Sequence, residues 1–254
     1  MTLSVDLNAD MGESFGPWQM GDDAALLDIV TSANIACGYH AGDPDVMMQV
    51  MRKAVENGVG IGAHPGFDDL RGFGRHRLHV PQATLANQIR YQVGAAQAMA
   101  RAAGGEVRHL KLHGALANMA SEDAGLARAC YEAALSVAPD IAIMVLAATQ
   151  QQQAAEELGA NWVGEIFADR AYNDDATLVD RSKPGAVIHD AEVAGERMAR
   201  MVGEGAIITE SGKRIETKID TICLHGDTPE AIGIARSVRA ALEGEGVAVK
   251  TFGK

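Results

Sequence analysis

Residues 3–10 read LSVDLNAD, and how their alternation is explained decides the fold. A strand turns successive side chains to opposite faces, so Asp6, Asn8 and Asp10 share one face. Three polar groups facing a dry core are costly. Two readings fit: an edge strand with a solvated face, or a barrel with a polar interior opening at the strands' C-terminal end. The turn that follows, MGESFG, carries Glu13.

The same pattern recurs outward along the chain. ANIACGYHAGDP places Asn34 and His40 at the end of a second strand. In GIGAHPGFDDLRGFGR, Gly60, Gly62 and His64 share a parity, so small residues leave space beneath a histidine. The loop beyond it, with Asp68, Asp69, Arg71 and Arg75, suits a substrate cover. HLKLHGAL puts His109, Lys111 and His113 on one face, and a lysine alternating with histidines in a buried strand is poor packing material. GEIFADRAY aligns Glu165, Phe167 and Asp169, with Arg170 adjoining; a plain Asp169–Arg170 loop ion pair is the alternative to a functional role. TICLHGDTP aligns Cys223, His225 and Asp227. Asp227 or Thr228 reads as a helix cap, and Cys223 as a small core residue with no neighbour to activate it.

Strands are expected at Leu3–Leu7, Ile29–Ala36, Val59–Ala63, His109–Leu112, Ile141–Leu146, Val163–Phe167 and Thr221–Leu224. Helices are expected from Asp43-Pro44 and Thr228-Pro229, each a cap followed by proline at the first helical position. Others run from Pro81 to Ala102 and start near Ser121, Thr149 and Asp190, with Gly58, Gly104 and Gly159 as stops. The four glutamines at Gln150–Gln153 read as a solvated helix face. Strand–helix alternation of this kind means a parallel sheet. A doubly wound sheet gathers ligands at one switch point, whereas a barrel gathers them from many strand ends. Polar groups after strand upon strand favour a single barrel domain over residues 1–254.

The 254 residues are 47% apolar and 22% charged, enough for a large core and incompatible with disorder. A net charge of −12 argues against a nucleic-acid or anionic-membrane surface. Three scattered cysteines make no disulfide framework or zinc-finger spacing. The start, MTLSVDLNADMGE, is unlike a signal peptide, and the longest apolar run, Ile141–Ala148, is far short of the ~20 residues of a membrane span. These features together predict a cytoplasmic protein. His76, His79 and His189 fall outside the strand ends and are expected at the surface. GEGAIITESGKR is not a phosphate loop, because Ile207 and Arg214 stand where glycine and Ser/Thr belong. The converging set of His40, His64, His113 and His225, Asp6, Asp10, Glu165 and Asp169, with Lys111 and Arg170, suits proton transfer and charge stabilisation on a polar substrate. It equally suits a divalent metal, so a metal is left open.

The blocks DLNADMGESFG, SANIACGYHAGDP, GAHPGFDDLRGFGR, KLHGALAN, EIFADRAYNDDATLVDR and ICLHGDTP, in this order, resemble the LamB/YcsF family, whose members are the A component of prokaryotic ATP-dependent 5-oxoprolinase. The resemblance runs from residue 3 to about 245, keeping Asp10, His40, His64, His113, Asp169, Arg170 and His225. It departs at Leu112 (usually proline), Ala117 (usually tyrosine), Gly66 and Asp68, and at Ala176 and Asp180 (usually glycine and proline). It implies a distorted seven-stranded β/α barrel similar to polysaccharide-deacetylase folds. It implies conversion of 5-oxo-L-proline to L-glutamate coupled to ATP hydrolysis, with partner subunits B and C. ATP, with its Mg2+, is expected with or on those partners, leaving the hydrolytic half to this chain. On that reading Asp10 or His40 activates water, and His113 or His64 protonates the leaving nitrogen, with His225 also catalytic. Lys111 and Arg170 hold phosphate or carboxylate, with Asp6, Asn8, Glu165 and Asp169 also at the substrate. The rivals are a metal-dependent deacetylase or amidohydrolase acting alone, and a non-catalytic lactam-binding protein.

Overall fold

A computed structural model of the chain describes residues 3–226 and 230–253. Its elements begin β1 (Ser4–Met11), α1 (Asp23–Leu27), β2 (Ser32–Ala36), α2 (Pro44–Asn57), β3 (Gly60–His64), α3 (Gln82–Ala102) and β4 (Val107–Lys111). They continue α4 (Gly114–Glu122), α5 (Ala124–Leu135), β5 (Ala142–Leu146), α6 (Gln150–Glu157) and β6 (Trp162–Phe167). The last are α7 (Ala191–Glu204), β7 (Ala206–Ile208), β8 (Arg214–Glu216), β9 (Thr221–His225), α8 (Ala231–Gly244) and β10 (Ala248–Val249). β1 to β6 and β9 are parallel neighbours in that order, and β9 pairs back onto β1, closing a seven-stranded barrel.

Local chemistry fixes the helix starts. Asp43 accepts from the amides of Asp45 and Val46 ahead of Pro44, and Asp190 accepts from Glu192 and Val193. Each such cap contributes about 1 kcal/mol. Gly58 ends α2 at φ 71°, where a side chain would be strained. The helix expected near Ser121 is two helices, and Asp123 caps the second. The cap expected at Asp227 or Thr228, and the Thr228-Pro229 start, lie outside the described residues. Four elements had no sequence signal: α1, the two strands of the β7–β8 hairpin, and β10. The β7–β8 hairpin lies in the segment compared with a phosphate loop, and β10 runs beside the first residues of β1.

The glutamines of α6 are not a solvated face throughout. Gln151 is buried, accepts from the Leu146 amide and the Tyr131 hydroxyl, and donates to the Ala117 carbonyl. An amide that fills donor and acceptor roles at once ties α4, α5 and the end of β5 together.

Helices and strand backs form one apolar core with Leu7, Ile35, Ile61, Leu110, Ile143 and Ile166 at its centre. The opposite strand faces meet inside the barrel and are mostly polar, as the alternation of LSVDLNAD requires, except on β5, whose Met144 and Leu146 line the cavity. Gly62 is small for a reason the sequence placed on the wrong histidine. A Cβ there would sit 2.0 Å from Nε2 of His109, so the glycine makes room for the neighbouring strand's ring. His64, on Gly62's own strand, stands above it.

Candidate active site

The C-terminal ends of the strands open into a cavity of about 620 Å³. Asp10, His64, Lys111, His113, Glu165, Arg170 and His225 all line it, brought from β1, β3, β4, β6 and β9 and the turns after them. Lys111 stands at its floor. Its ammonium lies 2.8 Å from Asp10 Oδ1 and 2.9 Å from Glu165 Oε1, with Cys223 Sγ at 2.9 Å. Burial opposes a charged lysine, but Asp10 and Glu165 push its amine well above the ordinary range. Burial likewise raises Glu165 despite Lys111 beside it. It would raise Asp10 too, but His64 and Lys111 hold that carboxyl well below the usual range. The result is one buried ammonium between two carboxyls of unequal acidity. Cys223 is the buried residue the sequence indicated, but it has a charged neighbour the sequence did not show.

A second group stands on β9. Asp169 binds Nδ1 of His225 through both oxygens, at 2.8 and 2.7 Å. Burial works against the Asp169 charge, yet His225 beside it holds the carboxyl below its usual range. That contact makes Nδ1 the protonated nitrogen and turns Nε2 outward as an acceptor, where the Arg181 guanidinium meets it at 3.2 Å. The alternative reading of these residues, an Asp169–Arg170 loop ion pair, is therefore not what forms. Arg170 instead donates to the carbonyls of Val179 and Ala186, fastening the loop between β6 and α7. Burial, with Arg181 nearby, lowers Arg170 to about 10, so it is charged at neutral pH.

The third group is a nest of imidazoles. His40 and His113 stack at 3.6 Å between ring centroids and 5° between planes, with His64 edge-on to both. His64 Nε2 lies 3.0 Å from His113 Nδ1 and 3.4 Å from Asp10 Oδ2. Glu13 Oε1 lies 3.5 Å from His40 Nε2 and 3.6 Å from His113 Nδ1. Burial drives His40 and His113 well below the usual histidine value, so both rings are neutral. Gly74 takes φ 61° here, and a Cβ on it would come within 2.7 Å of both His113 and His40.

Four sequence-indicated residues stand back from the cavity wall. His40 is fully buried behind His113, and Asp169 lies behind His225. Asp6 and Asn8 lie deeper in the barrel and do not reach the cavity. Asp6 accepts from Thr31, Ser32 and Thr221, so its carboxylate is saturated, while Asn8 donates to Thr221 and accepts from Asn34 and, at 3.5 Å, from the Lys111 ammonium. Of the loop after β3, Arg75 reaches the cavity, while Asp69 turns back to His76. The exposed positions expected for His76, His79 and His189 are found.

Other cavity residues carried no signal of their own in the sequence. Arg77, Arg181 and Lys183 line it from the loops, and Arg197 of α7 donates to the carbonyls of Phe167, Ala168 and Arg170, holding the end of β6 in place. Basic loop residues without periodicity look like ordinary surface until the loops are folded over the strand ends. None of the helices is long and apolar enough to cross a membrane, among the described residues.

The chain is 71% identical over 248 residues to the A component of the 5-oxoprolinase of Ruegeria pomeroyi, covering 98% of each. It superposes on the lactam utilization protein of Thermus thermophilus with a TM-score of 0.92 and 41% identity, over 98% of this chain and 100% of that one. The catalytic domain of the peptidoglycan N-acetylglucosamine deacetylase of Eubacterium rectale shares only the fold, with a TM-score of 0.52 and 9% identity over 99% of this chain and 89% of that one. The LamB/YcsF family model matches residues 5–254, and the chain belongs to that family.

Proposed function

We propose that this chain is the hydrolytic component of an ATP-dependent 5-oxoprolinase and opens a lactam that partner subunits B and C have phosphorylated. The observation that carries the reading is the pairing of Lys111, held charged between Asp10 and Glu165, with an Asp169-oriented His225 whose Nε2 faces the same cavity. The names borne by the relatives select the lactam among possible substrates.

A five-membered lactam is an unreactive amide, and phosphorylating its oxygen makes carbon 5 electrophilic. Water then adds to carbon 5 while His225 Nε2 takes its proton. The same ring returns that proton to the ring nitrogen, and as the C–N bond breaks the adduct's hydroxyl gives up its own proton to the departing amine, leaving an acyl phosphate. A second water converts that to L-glutamate and inorganic phosphate. The ammonium of Lys111 offsets the charge that develops on oxygen in these steps. Arg181 and Lys183 on the wall suit the phosphate and carboxylate of so anionic a substrate. His64 and His113 each commit one ring nitrogen to a backbone carbonyl and face each other with the other. His225 Nε2 instead meets the exposed guanidinium of Arg181 at 3.2 Å, a partner that an anionic substrate draws away, so proton transfer falls to His225. No phosphate-loop motif occurs in the sequence, which supports placing ATP and its Mg2+ on the partners.

The test is glutamate release from 5-oxoproline and Mg-ATP, measured with this chain alone and with subunits B and C. Glutamate only from the full mixture is the expected result. Release by the chain alone would put the phosphorylation on this chain. No release in the presence of bound partners would end the lactam reading.

A further inference from the structure

We propose that His64, His113 and Glu13 form a site for a divalent transition ion of the zinc class at the wall of the cavity. The argument begins with protons. His64 Nδ1 lies 2.8 Å from the Lys111 carbonyl oxygen, and His113 Nε2 lies 2.9 Å from the Phe73 carbonyl oxygen. A carbonyl only accepts, so each of those nitrogens carries hydrogen. The nitrogens left over, His64 Nε2 and His113 Nδ1, then present lone pairs to each other at 3.0 Å. Two acceptors at that separation repel unless a cation lies between them: either a proton, which makes His64 the imidazolium beside Asp10 Oδ2 at 3.4 Å, or a metal ion that takes the proton's place.

The surrounding geometry favours a metal ion over a shared proton. Ligand atoms around a tetrahedral zinc with bonds near 2.0–2.1 Å lie about 3.3 Å apart. The distances here are 3.0 Å from His64 Nε2 to His113 Nδ1 and 3.6 Å from there to Glu13 Oε1. Atoms of these residues and of His40 all fall within 4.8 Å of one another. A hydrogen bond from the second ring nitrogen to a carbonyl is also how ligating histidines are oriented. His40 is placed differently. Its ring is parallel to that of His113 at 3.6 Å, so an ion in the plane of one is far out of the plane of the other. His40 is therefore a positioning residue that fixes the His113 plane. Since His64, His113 and Glu13 all line the cavity, a fourth coordination position opens toward it, the pattern of catalytic rather than structural sites. Such an ion would supply Lewis acidity to an oxygen bound there.

The site is argued from ring geometry and stands apart from the lactam reading, so its test uses no lactam, ATP or partner. The full chain is purified without added metal or chelator, its metal content is measured by mass spectrometry, and the stripped protein is titrated with Co2+ in the visible. About one ion per chain and the d–d bands of a four-coordinate cobalt site are expected. Glu13→Gln and His113→Asn should each weaken cobalt binding by about 10²-fold or more, while His225→Asn leaves it unchanged. Glu13→Gln keeps the side chain's shape and decides the matter if His113→Asn fails to fold. Folded protein that takes up no cobalt at micromolar concentration would overturn the proposal. So would wild-type affinity in Glu13→Gln. A sulfur-to-cobalt charge-transfer band abolished by Cys223→Ser would overturn it too, because the ion would then sit on Asp10, Cys223 and His225.

Discussion

At the N-terminal end of the barrel interior, the Asp6 carboxylate accepts from three hydroxyls, and Thr221, Asn8, Asn34 and His109 continue the chain of hydrogen bonds. At the C-terminal end, Asp10, Glu165 and Lys111 are equally buried but answer one another as charges, and imidazoles crowd beside them. Strand alternation produces both layers by one rule. What separates them is how most of their polar groups are satisfied: the lower layer by neutral partners of fixed geometry, the upper by charges beside a cavity, with Asn34 on Asp10 and Asn8 beside Lys111 joining the two. A polar barrel interior is thus not in itself a site. The site is the part whose charges are balanced against each other and remain within reach of a ligand.

The largest effect is expected where that balance is broken. Lys111→Met leaves Asp10 and Glu165 facing each other without their cation. Removing one partner of a buried ion pair costs about 3–5 kcal/mol, and loss of a preorganised charge costs ~10²–10³ in rate. Both a lowered melting temperature and a loss of glutamate release in the full complex are expected. A variant as stable and active as the parent would mean that the upper layer is as self-contained as the lower.

His225→Ala comes next. His225 is only partly buried, and the Arg181 and Arg170 charges still favour the Asp169 carboxylate without it. The fold should therefore hold while the rate falls by ~10²–10⁴. Asp169→Asn should lower the rate as well, since it loosens control of the His225 tautomer without removing the ring. Full activity in His225→Ala would move proton transfer to another group.

The strand faces were legible because period-two alternation is a local property: Asp10, Lys111, Glu165 and His225 needed nothing but parity to be placed on one wall. Depth along the barrel was not legible. Asp6 and Asp10 have the same parity, and only the register with Thr221 on one side and His225 on the other separates a saturated carboxylate from a reactive one. Partner choice was equally hidden. Asp169 and Arg170 are adjacent in sequence, yet the aspartate turns to His225 on β9 and the arginine to its own loop. Glu13 stood in a quoted turn, but its approach to His40 and His113 comes from three separate strand ends meeting.

The two layers should also respond to pH with opposite signs. Burial raises Asp6 from 3.8 to about 6, its hydroxyl partners offsetting only part of the effect. Its contribution to stability is therefore full below about pH 3.8, where folded and unfolded chains are both protonated, and is lost as pH rises through about 6. The difference is worth roughly 3 kcal/mol at 1.36 kcal/mol per unit. Asp10 runs the other way, because its lowered value stabilises the fold above the usual carboxylate range and is lost on acidification. Denaturant melts of wild type and Asp6→Asn between pH 3.5 and 7 (a span of about 3.5 units around the window) should converge or cross as pH rises, the variant gaining relative to wild type. Asp23, also raised to about 6, is present in both proteins and cancels. Parallel curves would mean that Asp6 titrates as an ordinary carboxyl.

The smallest effect is expected in the loop that roofs the charged layer. Ala176 holds φ 68° with its methyl buried, where the resemblance to the family has glycine. A left-handed backbone costs a residue with a Cβ about 1–2 kcal/mol, which Ala176→Gly would recover. Against that, glycine surrenders about 0.8 kcal/mol of buried methyl and adds roughly 0.5–1 kcal/mol of unfolded-chain entropy. These contributions cancel, so the variant should match the parent within about 0.5 kcal/mol in urea melts. A gain well beyond that would show that backbone strain dominates the roof of the cavity. A comparable loss would show that packing does, and that the loop is as tightly built as the saturated layer at the other end of the barrel.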